Sequence, residues 1–457
     1  MLRYGTGFVL ALLAAPLPAQ TAQGEVSVTI YTNNLALVQD SRQLTVPAGR
    51  SRQDFPDVSA QIRPETVTLS GPGIGIVEQN FDYDLLSPDK LMEKAVGQTI
   101  TIVRTNPATG AETREQAKVL AANGGIVLQI GQRIEVLRDD GLPVRVVFDK
   151  VPENLRARPT LSVTIDAARG ATVPTRLSYL TPGLGWTSDY VALFDEAKGT
   201  IDVQGWVTLT NNTGTTFTKA DTLLVAGNVN AGGRGIRYNG GASDSLEQAG
   251  TESGTRERLG DYYLYPLKER TTIANAQQKQ VSFLDVKGAP ARKAYACTNQ
   301  WLGSNDDPRS CITVLKFSTS KEGGLGDQLP AGTIRAYLRD TRGNPQFIGE
   351  SRIDHTPMGS SMAIRTGEAF DVKVKILVEE RTRLSNRRWR TKMRYTLTNA
   401  RPAPVTADLA QDGLWGDVRI EAQSIAGERI SADRVEWKVP VPADGSTEVT
   451  ATFDTRY

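Results

Sequence analysis

Apolar positions along this chain recur with a period of two far more often than with the 3.6 of a helix. VSVTIY (26–31), TITIV (99–103), IVLQI (126–130), LSVTI (161–165), ITVLKF (312–317) and VKVKILV (372–378) all alternate or read as buried strands. Roughly two dozen such runs are separated by Gly, Pro, Asn and Asp punctuation. The pattern predicts an all-β chain of multiple β-sandwich, immunoglobulin-like domains and contains no alternating βαβ units. One short helix stands out in SPDKLMEKAVG (87–97). Ser87 suits an N-cap, Pro88 the first turn and Asp89 the helix dipole, and Gly97 ends it. Residues 99–148 read as five or six short strands with tight turns such as Arg138-Asp139-Asp140-Gly141, a small β-barrel-like segment.

These signals divide the chain into a signal peptide at 1–19, an N-terminal β-sandwich part at 24–84, the helix plus barrel-like segment at 85–150, and a C-terminal β-rich domain at 151–457. Within the last, 231–258 is rich in Gly and polar residues and nearly free of large apolar ones. Such composition buries too little surface to fold alone and predicts a mobile loop, or a lid or partner segment that orders on contact. No internal repeat of 20 to 50 residues is evident.

The N-terminus reads as an export signal. Arg3 supplies a positive start, 7–17 is apolar, and Ala19 follows as the small residue at the expected cut. The apolar run is shorter than the about 20 residues that span a bilayer. No cysteine lies near it, which excludes a lipoprotein anchor, and no later segment reads as transmembrane. The expectation is an exported, periplasmic protein. Cys297 and Cys311, the two cysteines, bracket a polar, turn-rich stretch. In an oxidising compartment they read as one disulfide, contributing about 3 kcal/mol in the chain-entropy model.

Charge and motifs narrow the function. Lys+Arg 53 against Asp+Glu 51 gives +2, without the clustered cationic excess that a nucleic-acid binder uses. The chain is 39% hydrophobic over 457 residues, enough for a large core. His355 is the one histidine. A hydrolytic triad would recruit Asp354 with Ser360 or Ser361, but no G-x-S-x-G elbow surrounds either serine. GPGIGIVEQ (71–79) lacks the helix a phosphate-binding turn opens, and reads as a turn or bulge. Asp82 and Asp84 are a weak carboxylate pair. Asp306 and Asp307 lack the spacing of a calcium loop. One His and two Cys supply too few soft ligands for a metal site, and no cofactor motif appears.

The most specific feature is a basic strand, NRRWRTKMRYTLTN (386–399). Period two puts Arg388, Arg390, Lys392 and Arg394 on one face, about 7 Å apart. Trp389, Thr391, Met393, Tyr395 and Leu397 fall on the other face, as core. The cations are either a solvated face matched by acids on neighbouring strands, or a docking face for an anionic glycolipid, polymer or protein.

SYLTPGLGWTSDYVALFD (178–195) resolves in the same terms. Trp186 and Tyr190 sit beside a Pro-Gly corner, where aromatic side chains anchor sandwiches. A structural corner is preferred to an active-site loop, and Trp186, Asp189 and Tyr190 form a secondary binding surface only if exposed. YLTPGLGWTSDYVALFD, GWVTLTNNTGTTFTKADTLLVAG, LPAGTIRAYLRD and DGLWGDVRIEAQS together resemble the bacterial domain of unknown function 4139. The resemblance runs from about residue 26 to the C-terminus. Mucoidy-inhibitor-like relatives carry a coiled coil before this domain, and this chain has no heptad run. What the resemblance implies is an exported envelope protein with a β-rich fold; it transfers no catalytic residues. The sequence therefore predicts a non-catalytic binding or scaffold module of the envelope, with a hydrolase of envelope glycans or esters as the alternative.

Overall fold

The computed structural model describes residues 23–82, 86–137, 144–152, 155–227, 245–252 and 256–456. The signal segment at 1–19, the turn at 138–141 and most of the Gly-rich stretch lie outside them. The fold is all-β, with sheets of eight, five, three and fourteen strands. Pro88–Lys94 is the one α-helix among the described residues. Ser87 caps it as its sequence predicts, accepting the Lys90 N–H at 3.2 Å.

The barrel-like segment is an antiparallel half-barrel of five strands, bounded by Val144–Val147 on one edge and Arg133–Leu137 on the other. Met92 of the helix and Ala95 just past its end join Ile100, Ile102 and Leu128 in its core. Arg133 bridges Glu115 and Glu135, at 2.7 Å each.

Two parts of the rest of the chain share one strand arrangement. In the first, Glu25–Tyr31 runs antiparallel to Leu35–Val46 and parallel to Phe217–Ala226. The facing sheet places Thr200–Asn211 between Leu184–Asp195 and the first half of Gln277–Asn299. In the second, the end of Gln277–Asn299 runs antiparallel to Asn305–Ser318 and parallel to Val405–Gln411. Its facing sheet places Arg388–Asn399 between Ser361–Ser385 and Gly445–Arg456. The two central strands end in one motif, Thr-Leu-Thr-Asn, at 208–211 and 396–399. Both asparagines are buried and do the same work. Asn211 Nδ2 donates to the Thr215 and Ile273 carbonyls, and Asn399 Nδ2 to those of Ala403 and Pro442, all at 2.9 Å. Each Oδ1 accepts the N–H two residues on, from Thr213 or Arg401. An asparagine is suited to this corner because one amide supplies two donors and an acceptor to backbone that no strand satisfies.

Gln277–Asn299 is 23 residues long because it serves both sandwiches. It switches partners near Gly288 and Pro290, where the pairing with Thr200–Asn211 ends. The first core unites strands from both sides of the half-barrel, including Val28, Phe55, Leu161, Leu177 and Phe217. The second packs Met393, Tyr395 and Leu397 against Leu409, Trp437 and Phe453. A third, around Tyr190, Phe194, Ile334 and Ile364, interleaves with both in sequence.

SYLTPGLGWTSDYVALFD is a corner. Gly183, at φ +95°, turns the chain from Ala171–Pro182 in one sheet into Leu184–Asp195 in another. Trp186 and Tyr190 point inward and, with Tyr265 and Phe283, join the first core to the third. The Tyr190 hydroxyl donates to the Pro330 carbonyl at 2.7 Å, and burial pushes its pKa far up.

The described end of the Gly-rich stretch departs from the mobile loop its composition predicts. Leu246–Gln248 is a strand paired with Ser361–Ser385. Ser245 donates to the Arg352 carbonyl at 2.6 Å, and Arg256 lies over the Tyr265 ring while pairing with Asp327. Hydrogen bonds to existing strands fix this segment, a route that counting its few apolar residues overlooks.

Candidate functional site

The basic strand faces as its period requires. Thr391, Met393, Tyr395 and Leu397 are buried, and the four cations lie on the opposite face. Their charges are answered from neighbouring strands. Arg388 binds Asp454 with two hydrogen bonds at 2.9 Å, and Arg390 grips Glu421 at 2.6 and 3.0 Å. Lys392 and Arg394 share Glu379, and Glu448 lies 3.9 Å from Arg394. The Arg388 hydrogen bond holds the Asp454 carboxyl below its ordinary range, and Lys392, then Arg394, do the same for Glu379. The middle of the stripe is thus a matched ion-pair face.

Trp186 and Tyr190 form no surface: they are 4% and 0% exposed. Alternation turns both inward, and only Asp189 faces out, where it pairs with Arg335 at 2.8 Å. Two of the triad candidates have their side chains committed to backbone. His355 Nδ1 accepts the Ala331 N–H at 3.2 Å. Buried Ser360 donates to the Pro357 carbonyl at 2.7 Å and accepts the Gly250 N–H at 2.9 Å. Ser361 pairs through its backbone with Ser318 and Gln248. Asp84 lies outside the described residues, as does the side chain of Asp82. Asp306 and Asp307 are exposed on a hairpin, and among the described residues no group of three or more His, Cys, Asp or Glu is placed to hold a metal.

The strand's outer end differs from its middle. Three of the six tryptophans gather there, from segments far apart in sequence. Trp389 projects from the strand's other face, and the Arg383 guanidinium lies over its ring at 5.7 Å. Trp301 rides on the hairpin closed by the Cys297–Cys311 disulfide, whose cysteines are both buried. Trp415 sits in a loop tied to that hairpin: Asp412 N–H donates to the Asn299 carbonyl at 2.7 Å. Gly413, at φ +71°, lets the two backbones touch; a Cβ there would meet the Gln300 oxygen at 2.1 Å. The Trp301 and Trp415 rings lie 5.7 Å apart, yet remain 38% and 67% exposed. Beside them is a cavity of about 250 Å³ lined by Trp301, Leu302, Arg381, Trp389, Thr391 and Thr455.

Charge is unbalanced at the same end. Arg388 lies directly opposite Arg456, and Arg456 opposite Asp417. Across 380–390, 415–421 and 454–456, seven arginines meet four carboxylates. That local excess of three exceeds the whole chain's +2. Exposed indole plates stack on sugar rings or other flat groups, and guanidinium forks grip carboxylate or phosphate. The end therefore has the chemistry to hold an anionic, ring-bearing ligand.

Period-two reasoning finds Arg388 and Arg390 but not Arg381, Arg383, Trp301 or Trp415. Trp301 and Trp415 stand in turns, where alternation says nothing about exposure. Their visible signals are a tryptophan inside the polar stretch bracketed by the cysteines, and one in Gly-Leu-Trp-Gly. No family model matches the chain, and no curated protein matches it.

Proposed function

We propose that this chain is an exported, non-catalytic β-sandwich module of the bacterial envelope that binds an anionic, sugar-bearing envelope component through its tryptophan–arginine end. The observation that carries the reading is the exposed Trp301–Trp415 pair at an end of the strand where arginines outnumber carboxylates. Buried indoles stabilise a core, whereas a pair left in water beside surplus cations contributes little to stability. The apolar signal at the N-terminus and the disulfide support export, and the resemblance to the bacterial domain of unknown function 4139 implies the envelope. The test is co-sedimentation with purified peptidoglycan, outer-membrane vesicles and inner-membrane vesicles over a salt titration. Retention on one fraction that weakens with salt, and drops at least tenfold in a Trp301→Ala/Trp415→Ala double variant of unchanged melting temperature, is expected. Equal retention of the double variant would refute the site.

A further inference from the structure

The cavity of about 250 Å³ beside Trp301 and Trp389 has no acidic residue among the described residues that line it. Arg381 is the one charged side chain there, and it is committed: it donates to the Leu302 carbonyl and, at 3.4 Å, to the Thr391 hydroxyl. The cavity is smaller than pockets for drug-sized ligands, which run from about 300 to 1,000 Å³, and so takes one ring or one substituent.

Its polar groups are two buried threonines, Thr391 and Thr455. Thr455 stands opposite Trp389 and Thr391 opposite Phe453, so the two threonines are diagonal neighbours on one face of the sheet. Diagonal neighbours lie about 7 Å apart. The Thr455 hydroxyl donates to the Trp389 carbonyl at 3.3 Å and keeps its lone pairs. Thr391 accepts from Arg381, and its own proton has no acceptor among the described residues. The cavity therefore offers one hydrogen-bond donor and one acceptor, about 7 Å apart.

That separation selects a chemical group. A hydroxyl bridging the two threonines would span at most about 5.6 Å with both hydrogen bonds, which falls short. A secondary amide spans about 7 Å, because its C=O and N–H point in opposite directions from different atoms. A peptide bond continues the chain on both sides, whereas an acetamido group ends in a methyl that can enter against Leu302 and the indoles. We propose, building on the sugar-binding reading of this end, that the cavity holds the acetamido group of an acetamido sugar. The amide carbonyl accepts from Thr391, the amide N–H donates to Thr455, and the sugar ring lies on an indole. A free amino sugar is disfavoured twice: it has no carbonyl for Thr391, and its ammonium would stand beside Arg381.

The test titrates the full chain with three β-1,4-linked disaccharides, read by calorimetry: that of N-acetylglucosamine, its deacetylated form, and that of glucose. The acetylated disaccharide is expected to bind at least tenfold tighter than either of the others. Thr391→Val and Thr455→Val, which keep the shape and remove the hydroxyl, are each expected to lower that affinity at least fivefold and to leave the glucose disaccharide unchanged. Thr391→Ser is expected to restore the preference. Equal binding of the three disaccharides by the unaltered chain, including none, overturns the proposal whether or not a variant folds. An unchanged preference in both valine variants also overturns it. Tighter binding of a peptide carrying acetyl-lysine than of the acetylated disaccharide overturns the sugar. Equal binding of the disaccharides, with envelope retention that still drops in Trp301→Ala/Trp415→Ala, strikes this inference alone; retention indifferent to that double variant strikes the underlying reading with it.

Discussion

Opening the Cys297–Cys311 bond perturbs fold and candidate site together. The two cysteines are 14 residues apart and stand on adjacent antiparallel strands, one residue beyond the Ala296–Ile312 pair. Closing a loop of this size restricts the unfolded chain by about 3 kcal/mol in the chain-entropy model. Both sulfurs are buried in the second core. A Cys297→Ala/Cys311→Ala variant therefore also loses buried volume, roughly 1–2 kcal/mol more. In a cooperative unit of 150–250 residues, about 2–4 °C of melting temperature corresponds to each kcal/mol. Chemical reduction should lower the melting of the second sandwich by roughly 6–12 °C, and the double alanine variant by somewhat more. The assay is thermal unfolding with and without reductant, with bond opening confirmed by mass. Because Trp301 rides on the hairpin, acrylamide quenching and retention on the envelope fraction should change alongside. A shift under about 2 °C with the bond shown to be open would refute the reasoning, since the hairpin would then be held by its strands alone.

Asn211→Ala should destabilise the first sandwich by about 3 kcal/mol or more, because the Thr215 and Ile273 carbonyls and the Thr213 N–H lose their buried partner. Asn399→Ala should do the same to the second, whereas exposed Asn212→Ala should stay within about 0.5 kcal/mol; denaturant unfolding of the three variants checks this, and equal effects of Asn211 and Asn212 would count against the corner's role. For pH, the folded-state values of Asp454 and Glu379 lie below their unfolded values of about 3.9 and 4.3. Their stabilising contribution is complete above those unfolded values and is lost as pH falls through the folded ones. Melting temperature should therefore drop on the acid side of about pH 4. Arg388→Gln should make that drop shallower, and an identical acid limb would show that the pair is not responsible.

The fold was largely legible because alternation is a local property. A residue's face follows from its neighbours two positions away, so the inward set Met393, Tyr395 and Leu397 and the outward cations could be read directly. The helix was legible for the same reason: Ser87, Pro88 and Asp89 act on backbone groups within one turn. The burial of Trp186 and Tyr190 was only half legible. Their corner suggested an anchoring role, but exposure depends on Tyr265 and Phe283, about 75 to 100 residues away. The shared strand arrangement left little more than Thr-Leu-Thr-Asn as a trace, since a sandwich constrains a pattern of faces and not the residues that satisfy it.

The sequence by itself determined the secondary structure class, the inward and outward faces of the longer strands, and which cysteines were available to pair. These depend on short-range backbone geometry and on composition. Only the tertiary structure decided which carboxylates neutralise the basic strand, since Asp454, Glu421 and Glu379 reach it through strand pairing. It alone brought Trp301, Trp389 and Trp415 to one end. The physical reason is that charge matching and surface exposure depend on distances across strands, and register fixes those distances between residues that the linear chain holds far apart.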